Sequence, residues 1–205
     1  MNGQIGRSTI LGDWIYDCVK NPDVYNIIDV GTGSGLGTTK VVYDAIVNSQ
    51  KKKYLVYSLE TYKTHYDISV QNVPKIPNFH LLHGYITRQM LDLSKIPDKN
   101  FIGYTRNDAE MWYIGTIRDM DQCENILHLI PEKIDLLILD GGPFSSYYEF
   151  QILKDRCKYF VLDDTNDIKN IFVLEEMISQ PETYTILKQD SSDRNGWAIV
   201  EKNEK

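Results

Sequence analysis

Asn26 to Gly37 reads NIIDVGTGSGLG. Ile27, Ile28 and Val30 form a short apolar, β-branched run, which predicts a buried strand. Glycines at 31, 33, 35 and 37 break that run into a tight loop. Val41, Val42, Ala45 and Ile46 then recur at helical spacing, so a helix opens at Thr38 and Thr39. A strand, a glycine loop and a helix form the usual cradle for a nucleotide-like ligand, because loop amides and a helix N-terminus can approach it closely. Side chains in the loop would hold the ligand off the backbone, and the turn needs positive φ.

The glycine spacing separates two cofactors. A dinucleotide fingerprint begun at Gly31 requires a glycine or alanine at 36, where Leu36 stands, and one begun at Gly33 ends on Thr38. The nicotinamide reading weakens accordingly. Asp29 followed by glycines at the alternate positions 31, 33 and 35 instead resembles motif I of the class I S-adenosylmethionine-dependent methyltransferases. The resemblance implies S-adenosylmethionine as cofactor, with Asp29, Gly31, Thr32, Gly33, Ser34 and Gly35 at its binding site.

At 205 residues one α/β domain spanning 1–205 is expected, large enough to bury a core without disulfide or metal staples. The net charge of −7 and the isoelectric point near 5.1 argue against a general binder of phosphate backbones, so nucleic acid is not an expected partner. Cys18, Cys123 and Cys157 are odd in number, widely spaced and without CxxC pairs, which predicts buried reduced thiols. No run approaches the roughly 18 apolar residues of a membrane span, and the N-terminus lacks a secretion pattern. A soluble, cytoplasmic protein is the expectation.

Taken in order, Ser8 or Thr9 caps a first helix carrying Ile10, Leu11, Trp14, Ile15, Cys18 and Val19, which Asn21-Pro22 stops. Residues 54–59 form a second strand ending at Glu60, and an acid there is placed to hydrogen-bond a ribose diol. A helix from Thr61 to Val73 and a third strand, residues 79–84, follow. In the methyltransferase pattern that third strand ends beside the adenine, where an acid often follows the glycine; here Gly84 is followed by Tyr85. Stacking or a backbone contact would then serve, and His83 sits near the mouth.

Between Ile86 and Arg118 the periodicity fades. A structureless connection of that length is usually functional or mobile, and 86–118 reads as an insertion covering the acceptor site. Its Tyr104, Trp112 and Tyr113 suit a sugar ring, and its arginines suit hydroxyls. Met120, Cys123, Ile126, Leu127 and Ile130 predict an amphipathic helix ended by Pro131. Ile134 to Leu139 is the most apolar strand and ends on Asp140, and Ser145 to Lys154 forms the next helix. Residues 157–162 form a strand ending in Asp163-Asp164; a helix from Asp167 to Ser179 and two strands, 183–188 and 197–201, close the chain as a hairpin. The architecture predicted is a Rossmann-like, doubly wound α/β fold with a seven-stranded, mostly parallel sheet and an antiparallel C-terminal hairpin.

Asp140, Asp163 and Asp164 come from the ends of two neighbouring strands. Three carboxylates gathered in a crevice repel one another unless a cation neutralises them, and a divalent ion is the simpler account. All-oxygen ligands favour Mg²⁺, then Mn²⁺ or Ca²⁺. The set resembles the metal-assisted O-methyltransferases of the catechol and the sugar or macrolide types, in which an aspartate after the fourth strand and an acidic pair after the fifth bind the metal. Catechol-type enzymes carry a lysine base three residues beyond the first aspartate, where Pro143 stands here. A catechol acceptor is disfavoured, and His83, Asp140, Asn166 with a water, Asp167 and Lys169 are the candidate bases. The chain is also similar to methyltransferase domains of chlorovirus proteins that build capsid glycans. That resemblance implies a glycan rhamnose as acceptor, a larger multidomain glycan-synthesising protein, and host cytoplasm. The alternatives are a methyltransferase acting on a small phenol, protein or RNA, and a catalytically dead donor-binding module.

Overall fold

The computed structural model describes residues 5–203. The predicted strand of the opening stretch is β1 (Asn26–Val30), and it lies in the middle of an eight-stranded sheet. The other strands are β2 (Leu55–Glu60), β3 (Phe79–Tyr85), β4 (Glu124–Asn125), β5 (Ile134–Leu139), β6 (Cys157–Asp163), β7 (Tyr184–Asp190) and β8 (Trp197–Lys202). Their order across the sheet is β4-β3-β2-β1-β5-β6-β8-β7. All pairings are parallel except those of β8 with β6 and with β7. Chain order reverses between β1 and β5, and at such a switch point the strands' carboxyl ends open a crevice.

Alternation along the strands feeds two cores. Ile27, Leu136 and Ile138 pack with Leu11, Ile15, Val42 and Ile46, from α1 (Ile10–Lys20) and α2 (Thr38–Ser49). Ile28, Leu137 and Leu139 face the other way, onto Phe150 and Leu153 of α5 (Ser146–Leu153) and Val173 and Met177 of α6 (Ile171–Ser179). Each central strand is therefore apolar on both faces, as a doubly wound sheet requires. Thr9 caps α1, its side chain accepting from the Gly12 amide at 3.0 Å. Among the described residues, no helix is long and apolar enough to cross a membrane.

Two expectations are corrected. The predicted helix over Met120–Ile130 does not form: α4 runs over Arg106–Met120 instead, inside the stretch read as structureless. A capping box starts it, with Thr105 and Asp108 each bonding the other's backbone amide. Its periodicity is illegible because Met111, Trp112, Ile114 and Ile117 face solvent, while Ala109 and Met120 are its buried residues. Ile126 and Ile130 are buried as expected, but from the two ends of a 3-10 turn that follows β4. That short β4 adds an eighth strand to the seven predicted, parallel to β3 through Gly84–Glu124 and Tyr85–Asn125. The remaining helix, α3 (Lys63–Asn72), lies where it was predicted.

Candidate functional site

The crevice at the switch point is a cleft of about 340 Å³, within the range of small-molecule sites. Gly31 and Gly33 of the first loop line it, with Glu60 at the end of β2, Asp140 to Gly142 after β5, Ser145 and Glu149 of the α5 segment, and Thr116, Asp119 and Met120 of α4. Four of these residues are carboxylic and none of the described lining residues is lysine or arginine. Such a cleft favours a cation and opposes a pyrophosphate.

The glycine loop has two jobs. Gly31, at φ +99°, has no room for a side chain, because a Cβ would lie 2.4 Å from the Asp140 carbonyl oxygen. It lets the loops after β1 and β5 touch. At Gly33, φ +55°, a Cβ would meet nothing within 4 Å, so that glycine faces the open cleft. The Gly33 amide donates to Glu60 Oε2 at 2.7 Å, and the Tyr62 amide donates to Oε1 at 2.8 Å. Glu60 is thus held at the cleft wall with lone pairs left for a diol.

Several residues expected at the cofactor do not line this cleft. Asp29 is fully buried and accepts from Thr38, Thr39 and Ser58 hydroxyls at 3.2, 2.6 and 2.7 Å, pinning α2 to β1 and β2. It has no surface left for a ligand. Burial raises its carboxyl above the ordinary range, against those three bonds. Thr32 shares a hydrogen bond with Ser58, the Ser34 carbonyl accepts from Asn72, and Gly35 packs on Ser69 and Val73. Gly84 is required by β4, since a Cβ would lie 2.7 Å from the Glu124 carbonyl oxygen. The Tyr85 hydroxyl accepts from Arg88 at 2.9 Å. His83 bonds the Thr61 carbonyl at 3.1 Å and stacks on Tyr66. None of these side chains lines the cleft.

The three aspartates do converge, with carboxylate oxygens within 4.8 Å of one another. They converge on Lys169. Its ammonium donates to Asp140 Oδ1 at 2.7 Å and to Asp164 Oδ2 at 2.8 Å, and lies 3.7 Å from Asp163 Oδ2. The Arg194 guanidinium reaches Asp163 at 2.9 Å from the hairpin turn. Burial opposes the Lys169 charge, but the three carboxylates outweigh it and hold the ammonium well above its usual range. Its three carboxylate partners favour the charged ammonium. Burial likewise opposes the charge of Asp163, and Lys169 and Arg194 outweigh it and keep the carboxyl low. Asp140 is pushed the other way, upward, by burial and by Asp163 against the pull of Lys169.

The all-oxygen donor set is chemically right for Mg²⁺, but these two side-chain cations hold the carboxylates a divalent ion would need. As arranged, the cluster does not fit the expected metal. Asp164 sits at φ +54°, unusual for a non-glycine residue, and the neighbouring Thr165 and Asn166 amides bond the hairpin backbone at Gly196 and Asn195. Asp167 lies apart from the cleft, accepting from the Tyr104 hydroxyl and the Ile168 amide, both at 2.6 Å. Burial raises its carboxyl.

Two residues escaped the sequence reading. Asn170 donates to the carbonyls of Leu139 and Asp163 at 2.8 and 2.6 Å and accepts from Ser146, so it ties β5, β6 and α5 together beneath the acidic cluster. Glu149 is 4% exposed and lines the cleft. Its signal was present: Ser145, Glu149 and Leu153 are spaced at i, i+4, which places the glutamate on the buried stripe of α5.

No protein-family model and no curated relative matches the sequence. Solved structures do. The SAH-bound methyltransferase PaMTH1 of Podospora anserina superposes with a TM-score of 0.58 at 10% identity, over 94% of this chain and 78% of its own. The fibrillarin/Nop5p complex matches with a TM-score of 0.48 at 15% identity, over 88% and 73%. The N-terminal domain of human METTL16 gives 0.48 at 12%, over 93% and 67%. With the order of the strands and the antiparallel closing hairpin, the chain has the α/β Rossmann-like methyltransferase fold.

Proposed function

We propose that the protein is an S-adenosylmethionine-dependent methyltransferase acting on a hydroxyl group. The carrying observation is the cleft itself, lined by four carboxylic residues and no lysine or arginine among the described lining residues, with Glu60 held by the glycine loop at the end of β2. S-adenosylmethionine bears a sulfonium and an ammonium against one carboxylate, so its net charge suits this lining. A dinucleotide's pyrophosphate would meet four carboxylic side chains and a Gly33 amide already given to Glu60.

In the reaction the acceptor oxygen attacks the methyl carbon in line with the sulfur. The carbon–sulfur bond breaks, its electron pair stays on sulfur as the thioether of S-adenosylhomocysteine (SAH), and the hydroxyl proton leaves to a base. Asp140 is that base: it lines the cleft, its carboxyl is raised by burial, and Lys169 holds it from behind. Lys169 and Arg194 take the neutralising role read for a divalent ion, so no step passes through a metal.

A sugar is the acceptor class we favour. Its support is the 86–118 segment, where the Tyr104 and Trp112 rings lie 4.8 Å apart and Trp112 is half-exposed. Aromatic faces stack on the apolar faces of sugar rings, and α4 brings this segment to the rim of the cleft. The acidic lining opposes RNA. Incubating the protein with methyl-labelled donor, chelator and separate pools of glycans, small phenols, RNA and protein, followed by mass spectrometry, tests the reading. Label on a glycan hydroxyl is expected; label found only on RNA, protein or phenol overturns the acceptor assignment.

A further inference from the structure

Among the described residues, Glu149 Oε2 is the buried side-chain oxygen or nitrogen that lacks a hydrogen-bond partner. Its sister Oε1 accepts from the Ser145 hydroxyl at 3.1 Å. Burial pushes the carboxyl up to about 7. A buried acceptor without a donor is disfavoured, and a bound ligand's donor would relieve it. Glu149 lines the cleft whose apolar residues include Val30, Leu59 and Met120 and whose β2 edge is Glu60.

Apolar side chains in a cleft that also holds a buried, unpartnered carboxylate oxygen suit a flat ring with a polar edge. Resting on the reading of this cleft as the methyl donor's site, the zwitterionic end belongs by the glycine loop and the ribose by Glu60. The base is the part of the donor that apolar walls accept. Its expected partner after β3 is missing, because Tyr85 is turned into the seam with Arg88 and does not line the cleft. We infer that Glu149 takes over that task from α5, its Oε2 accepting a hydrogen bond from the 6-amino group of the donor's adenine. Glu149 is then a specificity residue for adenine, distinct from the reacting centre at Asp140.

The experiment is calorimetry with SAH and with its purine analogue in which hydrogen replaces the 6-amino group. A site built around a hydrogen bond rejects the ligand that cannot make it, so wild-type protein should prefer SAH by about tenfold or more. Glu149→Leu, which cannot accept, should bind both within about twofold. Glu149→Ala is carried alongside, so that either variant decides if the other fails to fold; both remove an uncompensated buried carboxyl, which favours folding. Glu60→Gln should weaken both ligands and keep their ratio. Equal affinities in the wild type, or a preference that survives in the Glu149 variants, overturn the inference and leave the donor reading standing. If neither ligand binds the wild type, the donor reading falls and this inference with it.

Discussion

The Lys169 ammonium lies 2.7 Å from Asp140 Oδ1, at the centre of the acidic cluster where a metal ion was expected. Removing one partner of a buried ionic cluster leaves uncompensated charge, which typically costs about 3 to 5 kcal/mol. Lys169→Met should therefore destabilise the protein by about that much. It should also open a true cation site, so that Mg²⁺ or Mn²⁺ raises the variant's melting temperature and leaves the wild type unmoved. A wild type stabilised by the ions as strongly as the variant would contradict the assigned role of Lys169.

The two cleft glycines should fail differently. In Gly31→Ala the new Cβ would lie 2.4 Å from the Asp140 backbone oxygen at φ +99°, so the loops after β1 and β5 must part. Stability should fall with donor affinity. In Gly33→Ala the Cβ meets no protein atom and the strain of a left-handed alanine is only about 1 to 2 kcal/mol. The variant should stay folded while losing SAH affinity, because the methyl group stands in the cleft. Thermal melting beside calorimetry separates the cases.

What was legible in the sequence was local. The strand, glycine loop and helix around Gly31 announce themselves through apolar runs and spacing, and Glu60 and Asp140 follow because each ends an apolar strand. Lys169 was readable only as one candidate base, since its three carboxylate partners arrive through the pairing of β5 with β6 and the turn after it. The helix α4 was hidden because its apolar residues Met111, Trp112 and Ile114 face solvent, which erases the period that buried faces impose. Asp29, Gly84 and Tyr85 stand where the resemblance puts cofactor contacts, and here each is held by hydrogen bonds or packing away from the cleft.

Stability should depend on pH through Glu149. Its folded carboxyl, raised to about 7 by burial, holds a proton more tightly than the unfolded chain does. The contribution is fully present below the ordinary glutamate range and is lost as pH rises through about 7. The full swing is about 3 kcal/mol. Urea unfolding of Glu149→Gln beside wild type should show the variant gaining on the wild type from pH 5 to pH 8. A difference that does not change with pH would contradict the burial account.

Chemistry at Asp140 should separate from donor binding. Asp140→Asn keeps the side chain's size and removes its capacity as a base, so turnover on any hydroxyl acceptor should fall by about 10² to 10⁴ while SAH affinity changes little. Single-turnover rates with labelled donor, set beside calorimetry, check this; a variant that binds SAH as weakly as it turns over would end the division of labour between Glu60 and Asp140.

The central claim is that the acidic cleft at the β1–β5 switch point holds the methyl donor. Calorimetry of wild-type protein and Glu60→Ala with S-adenosylmethionine, SAH and a nicotinamide dinucleotide tests it most directly. The account predicts binding of the first two to the wild type, a loss of about tenfold or more in Glu60→Ala, and no binding of the dinucleotide. Dinucleotide binding without S-adenosylmethionine binding, or donor binding indifferent to Glu60, would contradict it.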